Sequence, residues 1–368
     1  MHQDGIAHKI LGYIGYGIMF IIVVCIIAIS EHLYDEHRAT QSVTSLEINI
    51  TGGENCTLAD KESIDSWITK EGPMSHNMML AEFNSGEIER RALELSAVAE
   101  ANVYVDYNGK AVLDVTLREP IARLRTDGYD LYISEDGYIM PTVANRTAAV
   151  PVITGDYTAL FKPTYAGCAK SVMTDSIAAL DKVIERLEDA KLPYYRQLED
   201  NDKALRETLS ESVRKGFFTS EREYAILVNE LEGRKIAARE RHTATKRSLE
   251  AEIEALAKQQ DEARLKQSKV SKAGEDFETL IAFLKHIDDN SFWHAEVVQV
   301  MLTGGGERDM ELSFVPRSGN FVVDLGTPED YDTKLSNLYR FYNKGLDNLG
   351  WNKFSYISLR YDKQVVCR

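Results

Sequence analysis

An apolar stretch from Ile10 to Ile29 constrains this chain more than any other part of its sequence. The stretch reads ILGYIGYGIMFIIVVCIIAI and contains no charged residue. About twenty apolar residues, at 1.5 Å per residue, form a helix of about 30 Å, which is the thickness of the hydrocarbon core of a bilayer. The sequence therefore predicts a single-pass membrane protein with a transmembrane helix over residues 10–30.

The charges on the two sides of this stretch predict its orientation. Lys9 and the amino terminus precede it, whereas Glu31, Asp35 and Glu36 follow it. Because positive charge favours the cytoplasmic side, residues 1–9 are predicted to form a cytoplasmic tail. The remaining chain then lies in the periplasm, outside the inner (plasma) membrane.

A cleaved signal peptide is the alternative interpretation of the same stretch. Ala28 and Ser30 offer small residues at the spacing that a signal peptidase accepts. The apolar run is longer than the 7 to 15 residues, roughly, of a signal peptide's apolar region. The sequence therefore favours an uncleaved helix.

Composition and motifs argue against several classes of function. The net charge of -15 and the isoelectric point near 5.1 are unlike the basic surfaces that bind nucleic acid. There is no GxSxG, HExxH or P-loop motif and no paired CxxC, and Gly304-Gly305-Gly306 is predicted to be a hairpin turn. We therefore predict no enzyme activity, cofactor, metal or small-molecule substrate. Cys56, Cys168 and Cys367 follow the apolar stretch, and the sequence is compatible either with one disulfide among them or with three free thiols.

The spacing of apolar residues over positions 42–119 predicts a small module with the order strand, helix, helix, strand and strand. Ser42 to Ile50 alternates as a strand, and Ile64, Trp67 and Ile68 recur at helical spacing. A second helix begins near Ser85, and Asn108-Gly109 predicts a hairpin turn between the last two strands. This order predicts a small sheet that two helices cover on one face.

Residues 120–175 and 274–368 are predicted to form a second, mostly β, domain. Short alternating segments follow Pro120, and strands are predicted from His294 to Leu302, Met310 to Val315 and Phe321 to Leu325. A helix capped by Thr327 is predicted next. Phe354 to Tyr361 and the terminal Val365-Val366-Cys367 close the sheet.

The block of residues 176–273 is dense in charged residues and nearly lacks glycine and proline. Ser220 and Glu223 form a capping box before the longer of two predicted helices. The simplest structure is an antiparallel helical hairpin with its tip at Lys215-Gly216-Phe217-Phe218. A solvated charged arm is the simplest role, and Phe217 and Phe218 are a possible contact site for a partner or a membrane.

The arrangement of these parts resembles the FtsQ/DivIB family of bacterial cell-division proteins, and most closely its Bacteroidetes branch. The resemblance is carried by three segments: Val115-Thr116-Leu117-Arg118-Glu119-Pro120-Ile121-Ala122, Asp324-Leu325-Gly326 with the helix from Lys334 to Tyr342, and Gly350-Trp351-Asn352 with Tyr356-Ile357-Ser358-Leu359-Arg360-Tyr361-Asp362. It covers about residues 1–175 and 274–368, and the charged block departs from it. The resemblance implies that residues 42–119 are a POTRA domain (β-α-α-β-β) and that the second domain is the family's mixed β domain. The predicted fold class is thus an α+β extracytoplasmic region with a long helical-hairpin insertion.

The resemblance also implies a function. It predicts a non-enzymatic scaffold of the division machinery, enriched at the septum, that binds FtsB/DivIC-like and FtsL-like partners and other divisome proteins. In the family, the last β-domain strand is the edge that binds the partner. That edge corresponds here to Tyr361, Asp362, Lys363, Gln364, Val365, Val366 and Cys367. A POTRA-containing envelope transport or assembly component, which handles polypeptide segments, is the alternative function.

Overall fold

A computed structural model covers the chain. The residues that it describes are 18–33, 42–43, 45–53, 58–70, 78–80, 82–106, 108–126, 128–157, 161–305, 308–346, 350–351, 353–361 and 364–368.

The first helix corrects the predicted membrane span. The predicted tail and the start of the span, up to residue 17, lie outside the described residues, and residues 18–33 are helical with exposed side chains. No helix within the described ranges combines the length and the low polarity that crossing a membrane requires. The predicted single-pass membrane architecture is therefore wrong, and the inner-membrane placement loses its support.

Helices and strands both run through the described residues, as the sequence predicted. The α-helices are α1 (18–33), α2 (Lys61–Lys70), α3 (Ser85–Glu94), α4 (Ala169–Ser210), α5 (Glu221–Asp289), α6 (Ser291–Glu296) and α7 (Tyr331–Phe341), which a π-helical turn (Tyr342–Leu346) extends. The strands are β1 (Ser42–Val43), β2 (Ser45–Thr51), β3 (Met78–Met79), β4 (Val98–Val105), β5 (Lys110–Leu117), β6 (Pro120–Thr126), β7 (Tyr129–Ser134), β8 (Tyr138–Pro141), β9 (Val152–Gly155), β10 (Gly167–Cys168), β11 (Val297–Gly305), β12 (Arg308–Pro316), β13 (Val322–Gly326), β14 (Tyr356–Ser358) and β15 (Val366–Cys367). The mixed α/β fold is thereby confirmed.

The chain divides into two compact units. The first contains Met1–Leu124, Tyr129–Pro151 and Thr164–Gly167, and the second contains Arg125–Gly128, Val152–Pro163 and Cys168–Arg368.

The first unit contains the predicted order of strand, helix, helix, strand and strand. Its three-stranded sheet has the order β2-β5-β4, in which β5 runs parallel to β2 and antiparallel to β4. The side chain of Asn84 accepts a hydrogen bond from the Glu87 amide at 3.2 Å and so caps α3. Ile64 and Ile68 of α2 and Ile88 of α3 are at most 1% exposed, because their helical spacing places them on one apolar face.

The hairpin of β7 and β8 belongs to this first unit as well. The two strands pair antiparallel, and Tyr132 and Met140 join the same buried cluster as Leu113 and Val115 of β5. The core of this unit thus includes residues beyond position 119. The assignment of residues 42–119 to a POTRA domain stays a prediction.

The second unit is built on a mixed sheet with the strand order β9-β11-β12-β13-β14-β15. β9 runs parallel to β11 and β13 runs parallel to β14, whereas the other neighbouring pairs are antiparallel. The last turns of α5 contribute Phe277, Leu280, Phe283, Leu284 and Ile287, all at most 3% exposed, to the core of this unit. The carboxyl-terminal part of α5 is therefore a core helix of the sheet domain.

The rest of α4 and α5 forms the predicted helical hairpin, which we call the arm. The Asn201 side chain donates to the His242 carbonyl at 3.0 Å, and that of Gln267 donates to Asp181 at 2.5 Å, so the helices run antiparallel. The predicted capping box is confirmed, since the Ser220 hydroxyl accepts from the Glu223 amide and the Glu223 carboxylate accepts from the Ser220 amide.

Two local predictions in the second unit were wrong. Trp293 and His294 lie on the short helix α6 instead of on a strand, because the Asn290 side chain accepts hydrogen bonds from the Phe292 and Trp293 amides and starts a helical turn. α7 starts after Asp330, which adopts a left-handed backbone conformation, and Thr327 does not cap it. The Thr327 carbonyl instead accepts a hydrogen bond from Lys334 at 2.7 Å.

Candidate functional site

The predicted partner-binding residues lie at the last strand of the second unit's sheet. β15 pairs with β14 and ends the strand order of that sheet. Of the predicted residues, Tyr361 is exposed, Val365 to Cys367 are half-buried, and Asp362 and Lys363 lie outside the described residues. The Gln364 amide donates to the Tyr361 carbonyl at 3.3 Å, which marks the turn before the strand. Within the described part of the chain no strand pairs with the outer side of β15.

The hydrogen bonds of β15 show which of its backbone groups face outward. Arg368 and Tyr356 exchange amide-to-carbonyl hydrogen bonds of 2.9 and 3.2 Å, so they form a hydrogen-bonded pair. Such pairs alternate with non-hydrogen-bonded pairs in an antiparallel ladder, and Cys367 lies opposite Ile357. The amide and carbonyl of Cys367 therefore point away from β14. By the same alternation Val365 also presents its backbone groups to the outer edge.

The side chain of Cys367 ends a continuous apolar row. Residues directly opposite each other on paired strands share one face of the sheet. The register of the strands places five side chains with no solvent exposure in line with Cys367: Ile153, Val300, Phe314, Val323 and Ile357. Cys367, a half-buried thiol whose pKa is raised by burial, is the last member of the row. An added strand would extend this row with its own apolar side chains.

A charged cluster on the opposite face holds β14 in place. The buried carboxylate of Asp324 on β13 accepts hydrogen bonds from the Arg360 Nε at 2.5 Å and from the Tyr356 hydroxyl. The other two nitrogens of Arg360 donate to both carboxylate oxygens of Glu311 on β12 at 2.6 and 2.7 Å. Such two-pronged contacts fix orientation as well as distance. The cluster thus holds β14, the strand with which β15 pairs, to β12 and β13.

The pKa values in this cluster follow from burial and hydrogen bonding. Burial alone would raise the pKa of Asp324, but the hydrogen bonds from Arg360, Tyr356 and the Gly326 amide outweigh it and lower that pKa. The pKa of Arg360 is raised by its hydrogen bonds with Glu311 and Asp324. The pKa of Tyr356 is raised by burial and by Asp324. At neutral pH the lowered pKa keeps Asp324 ionised beside the guanidinium of Arg360.

Gly326 allows Arg360 to approach β13. Its φ of +68° is a left-handed conformation that favours glycine, and a Cβ atom there would lie 2.9 Å from the Cγ of Arg360. Beyond this glycine, the ammonium of Lys334 donates to the carbonyls of Leu325 and Thr327 at 2.9 and 2.7 Å. Desolvation lowers the pKa of Lys334. Arg360 and Lys334 thus both contact the end of β13.

Sequence reasoning does not identify this cluster as a site, although Asp324, Tyr356 and Arg360 lie in segments that carry the family resemblance and Glu311 lies in a predicted strand. The signal was an aspartate and an arginine at inward positions of two predicted strands, since isolated charges are rarely buried without a partner. Only the strand pairing shows that they meet.

The second predicted contact site, at the arm tip, is separate from β15. Phe217 and Phe218 are 98% and 96% exposed, and their rings contact each other edge to face at 5.4 Å. They lie in the loop between α4 and α5. About 50 residues of α5 separate the tip from the buried end of that helix, a length of about 75 Å at 1.5 Å per residue. The structure therefore does not bring the two predicted sites together.

The described ranges contain no group of three or more His, Cys, Asp or Glu side chains arranged for metal coordination. The candidate site consists of the outward-facing backbone groups of Cys367 and of the apolar row that ends at its side chain.

Comparison with known proteins identifies the carboxyl-terminal part of the chain. A family model described as "FtsQ/DivIB, C-terminal related" matches residues 248–368. The match confirms the resemblance over the carboxyl-terminal part of the chain, and the family that it identifies there is one of non-catalytic cell-division proteins. It begins inside α5, ahead of residue 274, and contains the whole of α6, α7 and β11 to β15. A search of curated proteins found no match.

Proposed function

We propose that this FtsQ/DivIB-related chain is a non-enzymatic scaffold of the division machinery that binds FtsB/DivIC-like and FtsL-like partners through β15. The observation that carries the proposal is the outward-facing backbone of Cys367 at the end of the sheet. An edge strand with unpaired amides and carbonyls binds an extended segment of another chain by forming a further ladder of hydrogen bonds.

The structure of the edge specifies the kind of segment that it binds. A residue of the incoming strand opposite Cys367 would lie beside the apolar row that ends there, so an apolar side chain is expected at that position. Its immediate neighbours would face the side of the sheet that contains Asp324 and Arg360, where polar side chains are expected. We therefore propose a partner segment in which apolar and polar residues alternate.

The charged cluster around Asp324 favours binding by fixing the edge in advance. Arg360 belongs to the segment between β14 and β15, and its contacts with Asp324 and Glu311 restrict that segment before a partner arrives. A preorganised edge loses less conformational entropy on binding than a loose one. The proposed location of the scaffold is the division septum, where its partners act.

A single substitution tests this proposal. Cys367→Pro removes the outward amide and leaves the inward hydrogen bonds of Arg368 with β14 intact, because Cys367 is not hydrogen-bonded to β14. We expect at least a tenfold weaker affinity for purified FtsB-like and FtsL-like partners, which corresponds to about 1.4 kcal/mol. Cys367→Ala is the matched control, since it removes the thiol but keeps the amide, and it should bind like the natural chain.

Folding and truncation complete this experiment. Circular dichroism and the melting temperature of Cys367→Pro should match those of Cys367→Ala, which shows that the sheet is intact. Removal of residues 362–368 should abolish capture of both partners. A folded Cys367→Pro protein that binds both partners as tightly as Cys367→Ala would disprove binding at this edge.

A further inference from the structure

A proline interrupts the backbone hydrogen bonds of α4, the first helix of the arm. Pro193 lies inside α4, where it has no amide hydrogen to donate to the carbonyl four residues earlier. The helix on the far side of such a residue is less strictly aligned with the helix before it. The part of α4 between Pro193 and Ser210 therefore needs another constraint to keep its alignment against α5.

On the side of Pro193 nearer the sheet, a buried polar group links the two helices. Lys191 and Gln260 are only 6% and 5% exposed. The ammonium of Lys191 donates to Gln260 Oε1 at 2.5 Å and to Glu188 Oε2 at 3.1 Å. The Gln260 amide nitrogen donates to Glu188 at 3.0 Å and to the Ile184 carbonyl at 3.4 Å. The link thus joins Gln260 of α5 to three residues of α4.

On the tip side of Pro193, a second polar group links the same helices. The Asn201 side chain donates to the carbonyl of His242 at 3.0 Å, and the His242 Nε2 lies 2.6 Å from an Asp202 carboxylate oxygen. The His242 side chain is 16% exposed and the Asp202 side chain is 54% exposed, so this second link is half-buried. One polar link between α4 and α5 thus lies on each side of Pro193.

A buried ammonium or amide without a partner is costly, so misalignment is penalised most at Lys191 and Gln260 and less at the half-buried Asn201–His242 link. A shift of one helical turn moves a side chain by about 5.4 Å, which is well beyond hydrogen-bonding distance. Leu256 and Ala263, which lie about one turn on either side of Gln260, offer no hydrogen bond to Lys191. The other polar contacts across the arm are exposed and contribute little: Gln267 with Asp181, Arg234 with Glu211, and Lys170 with Glu278.

We propose that these two links, Lys191 with Gln260 and Asn201 with His242, set the alignment of α4 against α5 across Pro193 and so fix the position of the Phe217–Phe218 tip. Buried polar residues have this role in coiled coils, where they reduce stability but exclude alternative alignments. Replacing them with apolar side chains of similar size should therefore keep the arm helical and release its alignment.

Distance measurements between spin labels test this proposal. Labels at the exposed Glu207 on α4 and Glu252 on α5, in the full chain with its four cysteines replaced by serine, report the alignment on the tip side of Pro193. These positions are separated by about 24 Å along the arm axis, so a slide of one helix changes their distance by nearly the length of the slide. The natural arm should give one narrow distance distribution. The triple variant Lys191→Met, Gln260→Leu and Asn201→Leu should give an additional population displaced by about 5 Å, the rise of one helical turn.

The matched control makes the same three exchanges at exposed positions of α5. Lys258→Met, Gln259→Leu and Asn229→Leu should leave the single distance unchanged. A single, unshifted distance in the buried-site variant would overturn the proposal. Loss of its helical circular dichroism would overturn it as well, because the links would then be required for stability and would not act as alignment devices.

Discussion

The edge of the second unit's sheet and the arm each bury a charged side chain, but they do so in different ways. At the edge, Asp324 is 2% exposed and joins three strands through Arg360, Tyr356 and Glu311. In the arm, Lys191 is 6% exposed and joins two neighbouring helices through Gln260. The edge cluster holds together strands that are distant in the sequence, whereas the arm link aligns two helices that are already connected by a short loop.

The comparison indicates in which of the two regions buried polar contacts determine the free energy of unfolding. Each strand of the edge depends on its neighbours for hydrogen bonds, so a failure of the cluster affects the whole edge. Each helix of the arm satisfies its own backbone, and most of the arm's ion pairs are exposed. We therefore expect single substitutions to destabilise the edge strongly and the arm weakly, and the following predictions test that contrast.

The largest effect is expected for Arg360→Met. The substitution leaves Asp324 buried without its cation, and breaking a buried pair in this way costs about 3 kcal/mol, in the lower part of the usual range because Arg360 is partly exposed. The buried Trp293 provides a fluorescence signal for chemical unfolding of this unit. Arg340→Met on the exposed side of α7 is the control and should change the unfolding free energy by less than about 0.5 kcal/mol. Equal changes in unfolding free energy for Arg360→Met and Arg340→Met would contradict the expected dependence of the edge on Arg360.

The next effect is the acid sensitivity of the edge. Because the pKa of Asp324 is lowered in the folded chain, its ionised form stabilises the fold above the pKa of the unfolded chain, about 3.9. That contribution is lost as the pH falls through the lower, folded pKa. Asp324→Asn should therefore destabilise the chain by roughly 2 kcal/mol at pH 7, as expected for a hydrogen bond to a charged group.

Unfolding free energies measured across this pH range separate Asp324 from other acidic groups. Asp60 and Glu87 in the first unit also have pKa values lowered to about 2, through Arg146 and through Arg90 respectively, so acid affects several sites. The relevant quantity is the difference between the natural chain and Asp324→Asn. It should shrink as the pH drops below about 4. A difference that stays constant from pH 7 to pH 2 would contradict the assignment.

Local periodicity and turn signals were sufficient to predict most elements. The turn at Asn108-Gly109 and the capping box at Ser220 and Glu223 were predicted from sequence because they depend on residues close together in the chain. The start of α7 was missed because Lys334 reaches back to the carbonyl of Thr327, a contact that local patterns do not contain. The predicted membrane span is not supported, because no helix among the described residues is long and apolar enough to cross a membrane.

The candidate site was predicted only in part. The position of Val366 and Cys367 at the end of a sheet followed from the family resemblance and agrees with the strand order. The direction in which the Cys367 backbone points required the observed pairing with Ile357, since a shift of one residue would reverse it. The cluster of Asp324, Arg360 and Glu311 could not be derived, because it depends on register among three strands.

The smallest effect in this series, and the one that contrasts the two regions most directly, comes from the same exchange at two glycines. Gly326→Ala should destabilise the edge by about 1–2 kcal/mol, since Gly326 has a positive φ and the new Cβ atom would lie 2.9 Å from Arg360. Gly233→Ala in α5 should stabilise the arm by up to about 1 kcal/mol, because the new Cβ would meet no atom within 4 Å outside its own stretch of helix and alanine favours helix. Thermal unfolding followed by circular dichroism for the arm and by Trp293 fluorescence for the edge measures both. Opposite signs would show that the edge depends on close tertiary approach and the arm on local helix propensity, whereas equal signs would remove that distinction.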